Sequence, residues 1–300
     1  MNSSRQNVTD GRNDRIKMSE STLKMHRGPL VHSPEDIEKS RKVPDTPQTR
    51  APAYRLAFDD KDFLCREELR PVRLQLELLK PEMILSERGI DSTVVLFGGA
   101  RIPEPGKEAW AAKNKTQKKN LEANAKYYVE AREFARLASV YSATTYNKEM
   151  VVCTGGGPGV MEAGSRGADD AGAPCIGLNI VLPHEQAPNE YVTPDLCFNF
   201  HYFAIRKMHF LMRAKAIAVF PGGFGTMDEM FEALTLIQTK RMEPVPFLLF
   251  GKSFWNSIIH FDELARQGTI SPGDLDLFHF VDTAREGWDL ITGHYGFAQA

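Results

Sequence analysis

The chain has 300 residues, 42% of them hydrophobic, which is enough for one large α/β domain or two smaller ones around a sizeable core. Its formal net charge is −2, and this balance argues against the strongly basic surfaces that bind nucleic acids or anionic membranes. The sequence has no run of eighteen apolar residues and no signal-peptide pattern at its N-terminus, so we expect a cytoplasmic protein without membrane contact.

Residues 1–50 form the first segment, which is polar and lacks sustained apolar periodicity. Because such a segment cannot bury much apolar surface, we predict a mobile tail. Residues 51–91 are predicted to be a helical extension, which Pro71 and Pro81 should divide into short helices. We expect these helices to cover one edge or face of the core, and binding of a partner is the alternative.

Residues 92–300 are predicted to form the main domain, because strand patterns alternate with helical patterns along them. The predicted strands lie at 92–97, 150–153, 174–178, 196–200, 216–220, 245–250 and 278–281. The predicted helices lie at 121–141, 160–171, 203–214, 226–239 and 254–266, with a last helix from 283. Residues 102–120 are polar and rich in lysine, which is typical of a surface insertion. The alternation predicts an α/β fold with a parallel sheet and helices on both faces.

A first glycine turn, Gly98-Gly99, ends the strand at 92–97 and is followed closely by Arg101. Open α/β sheets bind ligands at the carboxyl ends of their strands. Arg101 could therefore contact a phosphate through two hydrogen bonds. The alternative is a plain turn with a solvent-facing arginine.

A second glycine loop, TGGGPG at 154–159, follows the strand at 150–153. A dinucleotide fingerprint starting at Gly155 would need a glycine at position 160, which is Val160, and the chain has no P-loop G-K-[ST]. A generic NAD or ATP site is therefore not supported. Glu162 is a candidate for ligand binding, or an acid that complements the dipole of the helix that follows.

A third glycine loop, PGGFGTMDE at 221–229, lies between the strand at 216–220 and a helical pattern. Glycines let the backbone approach a ligand, and the free N–H groups at a helix start favour an anion. Four residues are predicted to hold a phosphate: Gly222, Gly223, Gly225 and Thr226. Thr226 is expected at the helix cap, with Asp228 and Glu229 in the first turn. The alternative is a tight turn with an N-cap threonine and two acids favoured by the dipole.

The three glycine loops follow three strands of the predicted parallel sheet. Because all strand carboxyl ends face one rim in such a sheet, these loops can converge on one ligand. The three loops together therefore predict a shared ligand site, which one loop alone would not predict.

The four cysteines, Cys65, Cys153, Cys175 and Cys197, include no C-x-x-C pair. Cys153 and Cys175 fall in apolar strand patterns, so we predict buried reduced thiols and no structural zinc. His209 lies on an aromatic-flanked helix, where a packing role is expected.

With the loops at 154–162 and 221–229 both considered, the chain resembles the LONELY GUY (LOG) family, long called "lysine decarboxylase-like", over roughly residues 92–290. The resemblance implies a Rossmann-like phosphoribohydrolase, generally a dimer. Such enzymes cleave the N-glycosidic bond of adenosine-type 5′-monophosphates, including N6-modified (cytokinin) nucleotides. The products are the free base and ribose 5-phosphate, and neither a metal nor an organic cofactor is required.

The resemblance also implies roles for individual residues. The essential arginine and glutamate of the family match Arg206 and Glu229, with Lys207 beside the arginine. The other residues predicted to contact substrate are Gly98, Arg101, Gly156, Gly157, Met161, Glu162, Lys207, Gly222, Gly223, Gly225 and Thr226.

The chain departs from the family pattern at two places. Met208-His209-Phe210 follows Lys207, so the RKxxM pattern is only partial. Met161-Glu162-Ala163 stands where plant members carry Met-Gly, and longer bacterial members that act on AMP are more similar there. AMP is therefore as good a candidate substrate as a cytokinin nucleotide.

Cleavage of this bond passes through an oxocarbenium-like transition state, as in glycoside hydrolysis. We expect Glu229 to lie under the sugar and to stabilise C1′ or orient water. Arg206 would clamp the phosphate or ribose. Asp228 is interpreted as a capping acid, and Glu162 is a candidate for the acid that protonates the purine.

Two alternatives belong to other classes of protein. One is a non-catalytic nucleotide-binding or molybdenum-cofactor-carrier protein of the same fold, which would not need a carboxylate beneath the sugar. The other is lysine decarboxylation, which is disfavoured because no lysine lies in a recognisable pyridoxal-phosphate setting.

Overall fold

The computed structural model describes residues 31–183 and 187–297, and the chain divides into two compact units between residues 72 and 73. The first 30 residues of the predicted tail therefore lie outside the described residues. Within the described ranges, none of the helices combines the length and the apolarity needed to cross a membrane.

In the N-terminal unit the described residues form short helices without buried residues. These are α1 (Ser33–Ser40), α2 (Pro47–Arg50) and α3 (Lys61–Leu64), with 3₁₀ turns at Pro52–Tyr54, Ala57–Asp59 and Glu67–Leu69. Local capping supports α3, because the Asp60 carboxylate accepts the N–H groups of Asp62 and Phe63 at 3.1 and 3.3 Å. The mobility of the tail stays a prediction.

Pro71 and Pro81 do not divide the extension, so that prediction is wrong: α4 (Arg70–Glu87) is continuous through both. Pro71 is the second residue of α4, where its missing N–H would have no helical partner. Pro81 is buried inside the helix together with Leu85. Packing of this face offsets the roughly 3 kcal/mol that an interior proline costs.

The strands of the second unit form one parallel sheet, which confirms the predicted α/β fold. They are β1 (Thr93–Phe97), β2 (Val151–Thr154), β3 (Cys175–Ile180), β4 (Cys197–Phe200), β5 (Ala214–Val219), β6 (Phe247–Phe250) and β7 (His279–Val281). Their order in the sheet is β4-β3-β2-β1-β5-β6-β7, and every neighbouring pair is parallel.

The remaining helices lie between the strands, with two differences from the sequence prediction. They are α5 (Lys115–Ala123), α6 (Lys126–Thr144), α7 (Val160–Asp170), α8 (Phe203–Met212), α9 (Phe224–Gln238), α10 (Lys252–Ile258), α11 (Phe261–Arg266) and α12 (Ala284–Tyr295). The predicted insertion contains most of α5, which Asn114 caps by accepting the N–H of Gln117. The helix predicted at 254–266 is two helices, because Ile259 between them is extended.

Helices cover both faces of the sheet, as predicted. Because strand residues alternate in direction, Val94 and Leu96 pack with α6, α7 and α12. Val95 and Phe97 point to the other face and pack with α4 and with the helices from α8 to α11.

The central pair of strands positions the site. The chain places β2 to β4 on one side of β1 and β5 to β7 on the other, so it reverses direction between β1 and β5. The last residues of β1 and β5, Phe97 and Val219, are paired with each other. Just beyond them, the N–H of Gly99 donates to the carbonyl of Pro221 at 3.0 Å. Such a switch point leaves a crevice at the carboxyl ends of the strands, where open α/β sheets bind ligands.

A glycine at the crossing of α6 and α7 generates the first testable prediction. A Cβ atom at Gly167 would lie 2.0 Å from the carbonyl oxygen of Arg132. Gly167→Ala should therefore lower the free energy of unfolding by about 1–3 kcal/mol, the usual cost of overpacking, as measured by urea denaturation.

Gly293→Ala in α12 is the matched control, since nothing lies within 4 Å of its Cβ position. The better helix propensity of alanine should stabilise that variant by about 0.5–1 kcal/mol. Equal stabilisation of both variants would contradict a close contact between α6 and α7.

Candidate active site

A pocket of about 740 Å³ opens in the crevice between β1 and β5. Its wall includes the loops after β1, β2 and β5, the first two turns of α9 and residues of α8, together with single residues of other elements. Nine of the predicted site residues lie in this wall, namely Gly98, Arg101, Met161, Arg206, Gly222, Gly223, Gly225, Thr226 and Glu229. The volume falls within the range usual for small-molecule sites.

The N-terminus of α9 points its free N–H groups toward this pocket. Gly223 is the N-cap, and the first helical bond runs from the Met227 N–H to the Gly223 carbonyl at 3.0 Å. The N–H groups of the residues before Met227 therefore have no partner within the helix. Among the described residues, none lies within 4 Å of the Cβ positions of Gly223 and Gly225, which leaves room for a ligand to approach the backbone there.

The predicted positions of Thr226, Asp228 and Glu229 in α9 are corrected. Thr226 is the third residue of α9 and not its cap, because the helix begins earlier, at Phe224. A Cβ atom at Gly222 would lie 2.1 Å from the Thr226 hydroxyl, so the buried threonine packs against this glycine. Asp228 and Glu229 lie in the second turn, where the helix dipole has little effect.

Arg206 and Glu229 form a buried pair at the base of the pocket. The Arg206 Nε–H donates to the Leu178 carbonyl at 2.7 Å, and Nη1 lies 3.4 Å from Oε1 of Glu229. The guanidinium carbon also lies 5.0 Å from the centre of the Phe210 ring. Both ionic side chains are about nine-tenths buried, at 10% and 12% exposure. The pair thus places two largely buried charges in the wall of the pocket.

Burial raises the pKa of Glu229 above its ordinary value, and the Arg206 charge opposes that rise. The neighbouring Asp228 carboxylate raises it further. A buried carboxylate of this kind is typical of functional sites, although structural ion pairs also shift pKa values.

Lys207 lies outside the pocket wall formed by the described residues. Its ammonium lies 3.0 Å from both the Asp228 and the Glu232 carboxylates, and it thereby ties α8 to α9. The interpretation of Asp228 as a capping acid is wrong, because its carboxylate pairs with Lys207 instead. Direct contact of Lys207 with substrate stays a prediction.

The second glycine loop supports the pair from the β2 side. A Cβ atom at Gly155 would lie 2.7 Å from Nη2 of Arg206 and from the Met161 sulfur, so only glycine leaves this guanidinium in place. Gly156 has a φ of +73° and packs against the Asn179 side chain.

Gly156 and Gly157 are held from outside the loop. The Asn189 side-chain amide donates to the carbonyls of Gly156 and Gly157 at 2.9 and 3.0 Å. Gly157 lines a smaller neighbouring pocket of about 200 Å³, while Gly156 lies in neither pocket wall. Both glycines therefore shape the loop whether or not they also contact a ligand.

Arg101 and Glu162 differ in their surroundings. Arg101 lines the pocket, is exposed, and has no hydrogen-bond or ion-pair partner among the described residues. The Glu162 carboxylate lies outside the main pocket wall and accepts the Tyr128 hydroxyl at 2.8 Å. Arg101 is thus available to an anion.

Sequence reasoning missed most of the apolar wall. The side chains in question are Leu121, Ile180, Leu182, Phe203, Phe210, Phe224 and Phe254. In the sequence they do not differ from ordinary core residues, so only the topology brings them together. Asn189 was also missed, since its contact with the glycine loop spans more than thirty residues of chain.

The cysteine prediction is confirmed in part: Cys153 and Cys175 are buried, Cys197 is partly buried and Cys65 is exposed. Burial raises the pKa of the Cys175 thiol to about 12, so it stays protonated. In the part of the chain that the structure describes, no cluster of three or more His, Cys, Asp or Glu residues could hold a metal ion. His209 is buried against Phe200, in keeping with a packing role.

Comparison with known sequences identifies relatives of this chain. The family model described as "Possible lysine decarboxylase" matches residues 161–291. The chain is 27% identical over 139 residues to cytokinin riboside 5′-monophosphate phosphoribohydrolase LOG3 of Arabidopsis thaliana, a match covering 45% of this chain and 63% of that enzyme. It is 26% identical over 175 residues to the probable phosphoribohydrolase of the same kind, LOGL3, of Oryza sativa subsp. japonica, covering 49% and 78%.

The resemblance to the LOG family is confirmed by these matches. The chain spans 63% of the length of the first relative, slightly under two thirds. The matched family region contains Met161, Arg206 and Glu229.

Two solved structures are also similar. The molybdenum cofactor binding protein of Rippkaea orientalis has a TM-score of 0.43 at 16% identity, covering 68% of this chain and 98% of that one. The molybdenum cofactor carrier protein of Chlamydomonas reinhardtii has a TM-score of 0.42 at 20% identity, covering 69% and 99%. Both scores are under 0.5 and carry no inference about function.

The raised pKa of Glu229 predicts a pH dependence of stability. Because folding raises the pKa of Glu229, the folded protein binds this proton more tightly than the unfolded chain does. The resulting stabilisation of the folded state is complete below the ordinary glutamate pKa of about 4.3 and is lost as the pH rises through the folded-state pKa. The free energy of unfolding of the wild type, relative to Glu229→Gln, should therefore fall as the pH rises above about 4.3. Urea denaturation of both proteins over a pH series measures this difference. A difference that does not change with pH would show that the carboxyl group has an ordinary pKa.

Proposed function

We propose that the protein hydrolyses the N-glycosidic bond of purine nucleoside 5′-monophosphates, AMP or N6-modified cytokinin nucleotides, to the free base and ribose 5-phosphate. The observation that carries this proposal is the buried Arg206–Glu229 pair beside the open N-terminus of α9. The names of the LOG relatives support the same class of reaction.

The phosphate is assigned to the N-terminus of α9. Its N–H groups, the space around Gly223 and Gly225, and the Arg101 side chain, which has no partner among the described residues, offer donors and positive charge in one region. Lys207 adds little, because two carboxylates already neutralise it.

Glu229 is assigned to the sugar. It lies in the second turn of α9, so a nucleotide with its phosphate at the first turn brings its ribose toward this carboxylate. The charge of this largely buried carboxylate stabilises the positive charge that develops on C1′. Arg206 fixes the position of the carboxylate and remains close enough to bind the ribose or phosphate.

The reaction balances with one water molecule. As the C1′–N9 bond breaks, its electron pair leaves with the base, and a water oxygen bonds to C1′. Glu229 accepts the proton that this water loses, and the base takes up one proton from solvent on leaving. Glu229 then returns its proton to solvent, which restores the carboxylate.

The apolar wall is assigned to the base. Ile180, Leu182 and Phe203 offer a surface on which a purine can pack. The substrate panel therefore contains both AMP and an N6-modified cytokinin nucleotide, and their rates of cleavage decide between them.

A homodimer or higher oligomer, which the family resemblance implies, is part of this proposal and is tested by analytical ultracentrifugation.

The leading prediction concerns Glu229. Glu229→Gln should lower the release of adenine from AMP by at least about 100-fold, as expected when a group that stabilises the transition state is lost. Chromatographic detection of the free base measures this rate. Asp228→Asn is the matched control, because the Asp228 carboxylate pairs with Lys207. This variant should release adenine from AMP less than about tenfold more slowly than the wild type.

Unchanged turnover in Glu229→Gln would refute the mechanism. If the wild type binds AMP without cleaving any nucleotide of the panel, the alternative of a nucleotide-binding or carrier protein is favoured instead.

A second prediction concerns the phosphate. The wild type should cleave AMP but not adenosine, because the phosphate anchors the substrate. Arg101→Ala should lower kcat/KM for AMP by about tenfold or more, since hydrogen bonds to charged groups contribute about 1.5–3 kcal/mol. Equal rates for AMP and adenosine would exclude the phosphate site at α9.

A further inference from the structure

The helix that carries Arg206 has no capping side chain of its own. The N-cap of α8 is Tyr202, whose side chain forms no capping hydrogen bond. Glu77 of α4 instead binds the two residues that lead into the helix: its two carboxylate oxygens accept the N–H of His201 at 2.9 Å and that of Tyr202 at 3.1 Å. A carboxylate at this end of a helix also complements the positive end of the helix dipole.

Further contacts join the same two helices. The Arg73 Nε–H donates to the Tyr202 hydroxyl at 3.2 Å, and His209 Nε2 donates to the Glu77 carbonyl at 3.2 Å. At the other end of α8, Arg213 donates to Glu82 at 3.0 Å. Helix α4 thus holds α8 at its start, its middle and its end.

The cap acts on the turn that contains Arg206. The Arg206 N–H donates to the Tyr202 carbonyl at 3.1 Å, so Tyr202 is bound by Glu77 through its N–H and by Arg206 through its carbonyl. The guanidinium extends from this turn, and at its far end it binds the Leu178 carbonyl at 2.7 Å and Glu229 at 3.4 Å.

We propose that Glu77 is a positioning residue for the reaction, which holds Arg206 against Glu229 by capping α8. This inference rests on the proposed function. It gives a role in catalysis to α4, which lies outside the region matched by the family model. The sequence alone does not assign a function to this part of the chain.

The test compares three variants of the full-length protein. Glu77→Ala removes both acceptors and should lower kcat/KM for AMP by about 10- to 100-fold, the range expected from a misplaced catalytic group. Glu77→Gln keeps one acceptor and should recover part of that loss. Glu87→Gln is the control on the same helix, since the Glu87 side chain is exposed and has no hydrogen-bond or ion-pair partner among the described residues, and it should leave kcat/KM unchanged.

A double-mutant cycle separates positioning from general stability. In the Arg206→Lys variant, adding Glu77→Ala should lower kcat/KM for AMP by less than about threefold, because the contact through which Glu77 acts has already been altered. Full additivity of the two losses would overturn the proposal. A lowered Tm with unchanged kcat/KM well below the Tm would overturn it too.

Hydrogen exchange supplies a readout that does not depend on activity. Glu77→Ala should increase exchange in peptides covering residues 201–210 and leave peptides of α12 unchanged, whereas Glu87→Gln should change neither. Faster exchange in 201–210 in a protein that cleaves no nucleotide would mean that the cap holds Arg206 while the proposed function is wrong. Unchanged exchange there would mean that the positioning role itself is wrong.

Discussion

The candidate site depends on a buried ion pair that joins two helices from opposite sides of the chain reversal. Arg206 comes from α8, which precedes β5, and Glu229 comes from α9, which follows it. A buried charge left without a partner costs several kcal/mol, so each side chain requires the other. The Leu178 carbonyl adds a third point from β3, and the pair can form only when β3, α8 and α9 have all reached their final positions.

Glycines permit this arrangement at several points where a side chain would interfere, two of which lie next to the ion pair and the start of α9. At Gly155 a Cβ atom would meet the Arg206 guanidinium, and at Gly222 it would meet the Thr226 hydroxyl. The first glycine allows the cation to approach the β2 loop. The second allows the loop to turn tightly into α9, whose free N–H groups then face the same pocket as the ion pair. Glycine is therefore needed in both loops for packing, independently of any contact with a ligand.

Much of the fold could be predicted from the sequence, because buried parallel strands are nearly continuous apolar runs and each is followed by a turn. The glycine loops were likewise visible, and their convergence followed from the parallel sheet. The direction of side chains could not be predicted. Arg206 and Lys207 are adjacent in sequence, yet Arg206 lines the pocket and pairs with Glu229, whereas Lys207 pairs with Asp228 and Glu232. Helix starts were also misjudged, since Gly223 caps α9 with its backbone and leaves Thr226 inside the helix.

The role of α4 follows from the same limitation of local sequence patterns. A glutamate at position 77 looks like an ordinary solvent-facing helix residue, and its partner N–H groups lie more than a hundred residues away. Once the fold brings them together, the carboxylate stabilises the start of α8, and through Tyr202 it restricts the turn that carries Arg206. The geometry of the ion pair is therefore set from two directions, by the strand ends and glycine loops on one side and by α4 on the other. An active site assembled only from the three glycine loops would lack the constraint that fixes its cation.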